Sequence, residues 1–187
     1  MRTPLKTLLA AAATFTAAAA ILTAPVTAAH AAATHADTTT SPRQLIDDSR
    51  YWLSWGKTGL AVDSLGTQVW ETLALTPYAG NTSQQWEFLQ ADTSGTLWDV
   101  NMASGLCRVT GGAAQPNDPV VQGECGLNGY SEWYNIPGTG SRVGQWKLVN
   151  VASGLCVGIG PTNAAGQPTL NLTGCSRAAW FIYHSVT

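Results

Sequence analysis

From about residue 49 onward the apolar positions fall in short runs of Val, Leu, Trp, Tyr and Thr, broken by Gly or Pro every few residues. No longer window keeps an apolar stripe at helical spacing, so helices are not expected. Short β-prone runs bounded by turn residues predict the strands of an all-β domain.

Three copies of one unit account for that pattern. Gly59-Leu60-Ala61, Gly105-Leu106-Cys107 and Gly154-Leu155-Cys156 lie over one another, preceded by Thr58, Ser104 and Ser153. The closing tryptophans Trp86, Trp133 and Trp180 are each 47 residues apart. A period of that length suits a propeller blade as well as a trefoil repeat. Propellers need about four blades or more, whereas three four-stranded units close a threefold barrel. The expected fold is therefore a β-trefoil with pseudo-threefold symmetry, its repeats at about residues 50–90, 95–137 and 143–186. Trp86, Trp133 and Trp180 are expected as one buried layer, and Leu60, Leu106 and Leu155 as another.

Four cysteines allow three pairings. The first copy has Ala61 and Tyr78 where the third has Cys156 and Cys175, so both members of a pair are missing together. This co-absence selects Cys107 with Cys125 and Cys156 with Cys175. Such bridges persist outside the reducing cytosol. The first 31 residues fit export: Arg2 and Lys6, an uncharged Ala-rich run, then Ala29-His30-Ala31 read as a secretory signal peptide. Residues 32–48, rich in Ala, Thr and Ser, read as a flexible linker, which leaves 49–187 as the folded domain.

Without the leader the chain has 7 basic and 11 acidic residues, a formal charge of −4. Scattered cations on an acidic chain exclude a nucleic-acid partner and a basic membrane-binding helix. Neither cysteine pair has metal-ligand spacing and His184 is the lone histidine of the folded part, so no metal or other cofactor is expected.

With the Gly-Leu-Cys anchors, a second Cys about 18 residues on, and Gln84-Gln85-Trp86 in the first copy, the folded part resembles the ricin-type β-trefoil lectins and their Q-x-W signature. The second copy has Ser131-Glu132-Trp133 and the third Ala178-Ala179-Trp180 at that place. The resemblance implies a saccharide site made of an Asp two residues after the first Cys position, an aromatic two before the second, and an Asn-Gln pair before the closing Trp. The first copy supplies Asp63 and Gln84, has Ser83 in the Asn position and Thr76 in the aromatic one. Trp70 or Tyr78 is near enough to supply the missing ring, Trp70 being the expected surface tryptophan nearest in sequence. The second copy has Val109 and Gly123, the third Gly158 and Thr173, so neither keeps the family grip.

The expected function is thus a secreted carbohydrate-binding module for polysaccharide or glycan, with one sugar site at Asp63, Thr76, Ser83, Gln84 and Trp70. The alternative is a protein-binding or inhibitor module without sugar binding, using the segments 110–119 and 126–131. An enzyme is not expected: no Gly-x-Ser-x-Gly elbow occurs and no spacing singles out a carboxylate pair.

Overall fold

The computed structural model describes residues 45–92 and 94–186. The expected leader and residues 32–44 of the linker lie outside the described residues. Leu45–Asp48, expected as the end of the linker, belong instead to the first strand. The strands are β1 (Leu45–Trp55), β2 (Leu60–Asp63), β3 (Ala74–Pro77), β4 (Trp86–Gln90), β5 (Leu97–Asn101), β6 (Cys107–Thr110), β7 (Val120–Gly123), β8 (Trp133–Pro137), β9 (Trp146–Asn150), β10 (Cys156–Thr162), β11 (Pro168–Thr173) and β12 (Phe181–Ser185). Among the described residues no helix is long and apolar enough to cross a membrane.

Six strands close a barrel. The antiparallel pairings run β1 to β4, β4 to β5, β5 to β8, β8 to β9, β9 to β12, and β12 back to β1. The other six form the hairpins β2–β3, β6–β7 and β10–β11, one per repeat. Neighbouring hairpins join through Thr72 with Val121, Pro119 with Asn171, and Thr169 with Ala74. Thr72, Pro119 and Thr169 hold one repeat position, and Ala74, Val121 and Asn171 another, so each hairpin bonds the next in a cycle. That is the pseudo-threefold axis of a β-trefoil. Closure leaves no open sheet edge in the barrel, which removes the usual route to edge-to-edge association.

The closing aromatic of the third repeat is Phe181, not Trp180. Trp86 faces Asn101, Trp133 faces Asn150, and Phe181 faces Trp55 at the same register. Trp86, Trp133 and Phe181 are all buried. Trp180 lies half-buried at the surface, with Lys147 Nζ 4.6 Å and the Arg142 guanidinium 5.7 Å from its ring. The β8–β9 connection and the third hairpin are longer than their counterparts and the return after Cys175 is shorter, which puts the core position one residue past the 47-residue spacing, on Phe181. Phenylalanine has no N–H, so the carbonyl of Val157 is served by Ala179 N (3.0 Å), where Val62 and Arg108 receive the indole Nε1 of Trp86 (3.1 Å) and Trp133 (2.8 Å). Leu60, Leu106 and Leu155 are half-buried at the rim of the core rather than a fully buried layer.

Both expected disulfides, Cys107–Cys125 and Cys156–Cys175, are present. In the first repeat Tyr78 stacks on Trp52 at 4.0 Å between ring centroids, and His184 stacks on the same indole at 3.9 Å. This ring stack occupies the place of the missing bridge. Asn101 and Asn150 tie successive repeats: each holds its own turn through Oδ1 at Ser104 or Ser153, while Nδ2 reaches back to Ser83 O (2.8 Å) or Gly129 O (3.0 Å) in the preceding copy.

Candidate functional site

Asp63 ends β2 and Thr76 lies in β3 beside it, so the hairpin register alone brings the carboxylate and the hydroxyl together. Thr76 Oγ1 donates to Asp63 Oδ2 at 2.7 Å, and Leu65 N donates to Asp63 Oδ1 at 2.9 Å. Gln84 Nε2 donates to Thr76 Oγ1 (2.7 Å) and to Pro77 O (2.9 Å), while Ala79 N donates to Gln84 Oε1 (2.8 Å). Asp63, Thr76 and Gln84 therefore form one connected network. Asp63 is 7 % exposed, and one of its bonds is the side-chain-to-backbone contact that closes the turn after β2. Ser83 sits beside the network, its carbonyl accepting from Ser64 N at 3.1 Å and its side chain half-buried.

The two equivalent places are closed differently. In the second repeat a Cβ on Gly123 would come within 2.6 Å of a Val109 methyl, so Val109 already fills the space of a side chain there. In the third a Cβ on Gly158 would meet Thr173 Cγ2 at 2.6 Å. The same pair of positions touches in every copy, hydrogen-bonded in the first and by van der Waals contact in the others.

Trp70 is not beside Asp63. Its backbone N–H donates to Gln122 O at 2.7 Å and the next carbonyl, Glu71 O, accepts from Gln122 N at 2.9 Å, which fastens the segment to β7 of the second repeat. Gln122 Nε2 also holds Ser64 O (3.3 Å) and Gly66 O (3.1 Å) at the segment's start. The indole is 61 % exposed and borders two adjoining hollows. One, of about 210 Å³, is completed by Val69, Gly123 and Glu124. The other, of about 260 Å³, is completed by Thr110, Asn128 and Tyr130. Leu127 belongs to both. Sequence distance had paired Trp70 with its own repeat, whereas strand pairing carries it to the next. Asn128 and Tyr130 come from the 126–131 segment that reads in sequence as a protein-binding loop.

Ser54 Oγ lies 2.9 Å from His184 Nε2, a contact that in other settings activates a nucleophile. Here Ser54 is 2 % exposed, its hydroxyl donates to Gly56 O at 3.0 Å, and His184 is stacked on Trp52. Burial lowers the His184 pKa from its ordinary value, so the ring stays neutral through a wider range of pH. The pair braces β1 against β12.

Comparison with known proteins agrees with the geometry. The family model described as ricin-type beta-trefoil lectin domain-like matches residues 82–172. No curated protein sequence matches the chain. Among solved structures, a designed 3-fold symmetric protein, ThreeFoil, is similar at 19 % identity and a TM-score of 0.61, covering 71 % of this chain and 97 % of its own. An exo-beta-1,3-galactanase from Clostridium thermocellum is similar at 17 % identity and 0.66, covering 76 % of this chain but 31 % of its own. A Polyporus squamosus lectin bound to the epitope Neu5Aca2-6Galb1-4GlcNAc is similar at 10 % identity and 0.60, covering 73 % of this chain and 48 % of its own. At these identities the likeness is one of fold.

Proposed function

We propose that this chain, a β-trefoil whose residues 82–172 match the ricin-type beta-trefoil lectin domain-like model, is a secreted carbohydrate-binding module, acting by binding rather than catalysis. The observation that carries the reading is the first-repeat network. Asp63 and Gln84 are two of the three polar residues the family resemblance calls for, Ser83 standing in the place of the third, and they are joined through Thr76 Oγ1. A carboxylate offers about four acceptor positions, and Asp63 uses one per oxygen within the protein. The remaining acceptor positions suit neighbouring sugar hydroxyls. Thr76 replaces the ring that would stack on the sugar, so affinity at this grip is expected near the weak end, about millimolar or roughly −4 kcal/mol.

Asp63→Asn keeps the turn acceptor but removes the charge and turns the oxygen that accepts from Thr76 into an NH2 donor, while Asp63→Ala removes every acceptor. Affinity electrophoresis through immobilised polysaccharides is expected to show retention reduced about tenfold in both variants. Wild-type retention in both would remove this grip. Export is tested separately: protein recovered from culture medium is expected to begin at Ala32, and a mature chain retaining Met1 would contradict a cleaved leader.

A further inference from the structure

We propose that a second saccharide-binding surface lies across the boundary of the first two repeats, with the Trp70 indole as its platform and a neutral oligosaccharide of at least two rings as its ligand. For its ligand class it rests on the carbohydrate reading, but on none of that reading's residues.

Trp70 has φ 67, in the left-handed region that a bulky L residue adopts at a cost of about 1–2 kcal/mol. Strain of this kind persists where the surroundings fix it, and it collects at binding sites. The two bonds to Gln122 flanking Trp70 do the fixing. The backbone that presents the indole is thus fixed, and the side chain, left 61 % exposed, gains little from burial in the protein itself. Across the hollow Asn128 also has a positive φ, 42. Thr110 borders the same hollow, is 3 % exposed, and its hydroxyl has no hydrogen-bond partner among the described residues. A buried hydroxyl without a partner costs free energy that a ligand's hydroxyl can recover.

The chemistry of the walls selects the ligand. A saccharide presents an apolar ring face and a rim of hydroxyls. Here the indole supplies the apolar face, and Asn128, Tyr130, Thr110 and the exposed Glu124 supply the rim. Glu124 disfavours uronic and sialic acids, and no lysine or arginine lines either hollow. The two hollows share Trp70 and Leu127, so a chain of two or more sugars spans both where one sugar fills one. Because Val109 crowds Gly123, the second repeat has no room for a platform of its own at the family position. Trp70 reaches over from the first repeat instead.

The full secreted chain, 15N-labelled, would be titrated with cellohexaose, xylohexaose, chitohexaose and β-1,3-glucan hexaose, with polygalacturonate as the anionic probe. Expected results are a shift of the Trp70 indole N–H, identified by its loss in Trp70→Phe, and tighter binding of a hexaose than of its monosaccharide. Affinity should fall at least tenfold in Trp70→Ala. Equal affinity of wild type and Trp70→Ala would overturn the surface, as would an unmoved Trp70 signal or a preference for polygalacturonate. If only Asp63→Asn releases a probe, sugar binding stands and the Trp70 surface falls; if none of the hexaoses binds the wild type, this surface falls and the first-repeat grip is decided by its own polysaccharide assay. Capture of a protein that Trp70→Ala loses and no saccharide displaces would replace the proposed ligand with a polypeptide.

Discussion

Arg108→Met is expected to lower the free energy of unfolding by roughly 3–5 kcal/mol, the largest effect of any single exchange considered for this chain. The reason is an asymmetry in the core. Strand register gives Leu53, Asp99 and Leu148 one repeat position, Val62, Arg108 and Val157 a second, and Leu75, Gln122 and Leu172 a third. The first and third copies fill all three with apolar side chains, and the second fills all three with polar ones. All nine are buried. Arg108 forms an ion pair with Asp99, and its guanidinium lies 4.7 Å from the Trp133 ring centroid. Burial lowers the Arg108 pKa to about 10, opposed by attraction to Tyr183, whose phenol burial pushes up. Methionine keeps most of the volume but leaves Asp99 as a buried charge without its counterion. The double variant Asp99→Leu with Arg108→Val copies the other two repeats. It is expected within about 2 kcal/mol of wild type, or more stable, because the desolvation cost of both charges disappears together. Urea unfolding of the wild type, Asp99→Leu, Arg108→Val and the double variant measures the coupling directly. An Arg108→Met cost below about 1 kcal/mol would mean that the pair is hydrated.

The polar core of the second repeat lies next to the segment that presents Trp70. Gln122 is the cross-strand partner of Arg108, and its amide anchors Ser64 and Gly66 while its backbone anchors Trp70 and Glu71. Ser104 Oγ donates to Gln122 Oε1 at 2.6 Å, which completes the amide's partners. A leucine here, as at Leu75 and Leu172, would pack but could hold none of these groups. The departure from threefold apolar symmetry thus falls where the surface departs from it too.

What sequence revealed and what it concealed have separate physical causes. The Gly-Leu-Cys anchors mark turns whose geometry is local, so Cys107 and Cys156 can be aligned from sequence, and the paired absence of cysteine at Ala61 and Tyr78 identifies the bridges. Trp180 misled because equal spacing does not imply equal loops: the connections of the third repeat differ by a net one residue, and Phe181 takes the core position. Asp63, Thr76 and Gln84 meet because a hairpin register is short-range. Trp70 depends on which strand receives its backbone N–H, a tertiary choice that sequence distance does not encode. Arg108 was legible once Val62 and Val157 were set beside it, since a charge at an otherwise apolar repeat position requires a partner, and Asp99 stands over Leu53 and Leu148 in the same way.

Removing the two disulfides one at a time is expected to cost similar stability and unlike function. Each closes a loop of 18 or 19 residues, for which the chain-entropy estimate is about 3 kcal/mol. Both double variants, Cys107→Ala with Cys125→Ala and Cys156→Ala with Cys175→Ala, should therefore unfold at similarly lowered urea concentrations. Cys125, however, follows Glu124 directly and packs in one cluster with Trp98 and Leu127. Loss of that bridge loosens two walls of the Trp70 hollows, so oligosaccharide affinity should fall by about tenfold. Loss of Cys156–Cys175 should leave it unchanged. Complete reduction extends the test to the whole barrel: hydrogen exchange should quicken first in the second and third repeats, because Tyr78, Trp52 and His184 hold the first by ring stacking that thiols do not touch. Uniform loss of protection in all three repeats would show that the barrel opens as one unit and that the ring stack carries no local stability of its own.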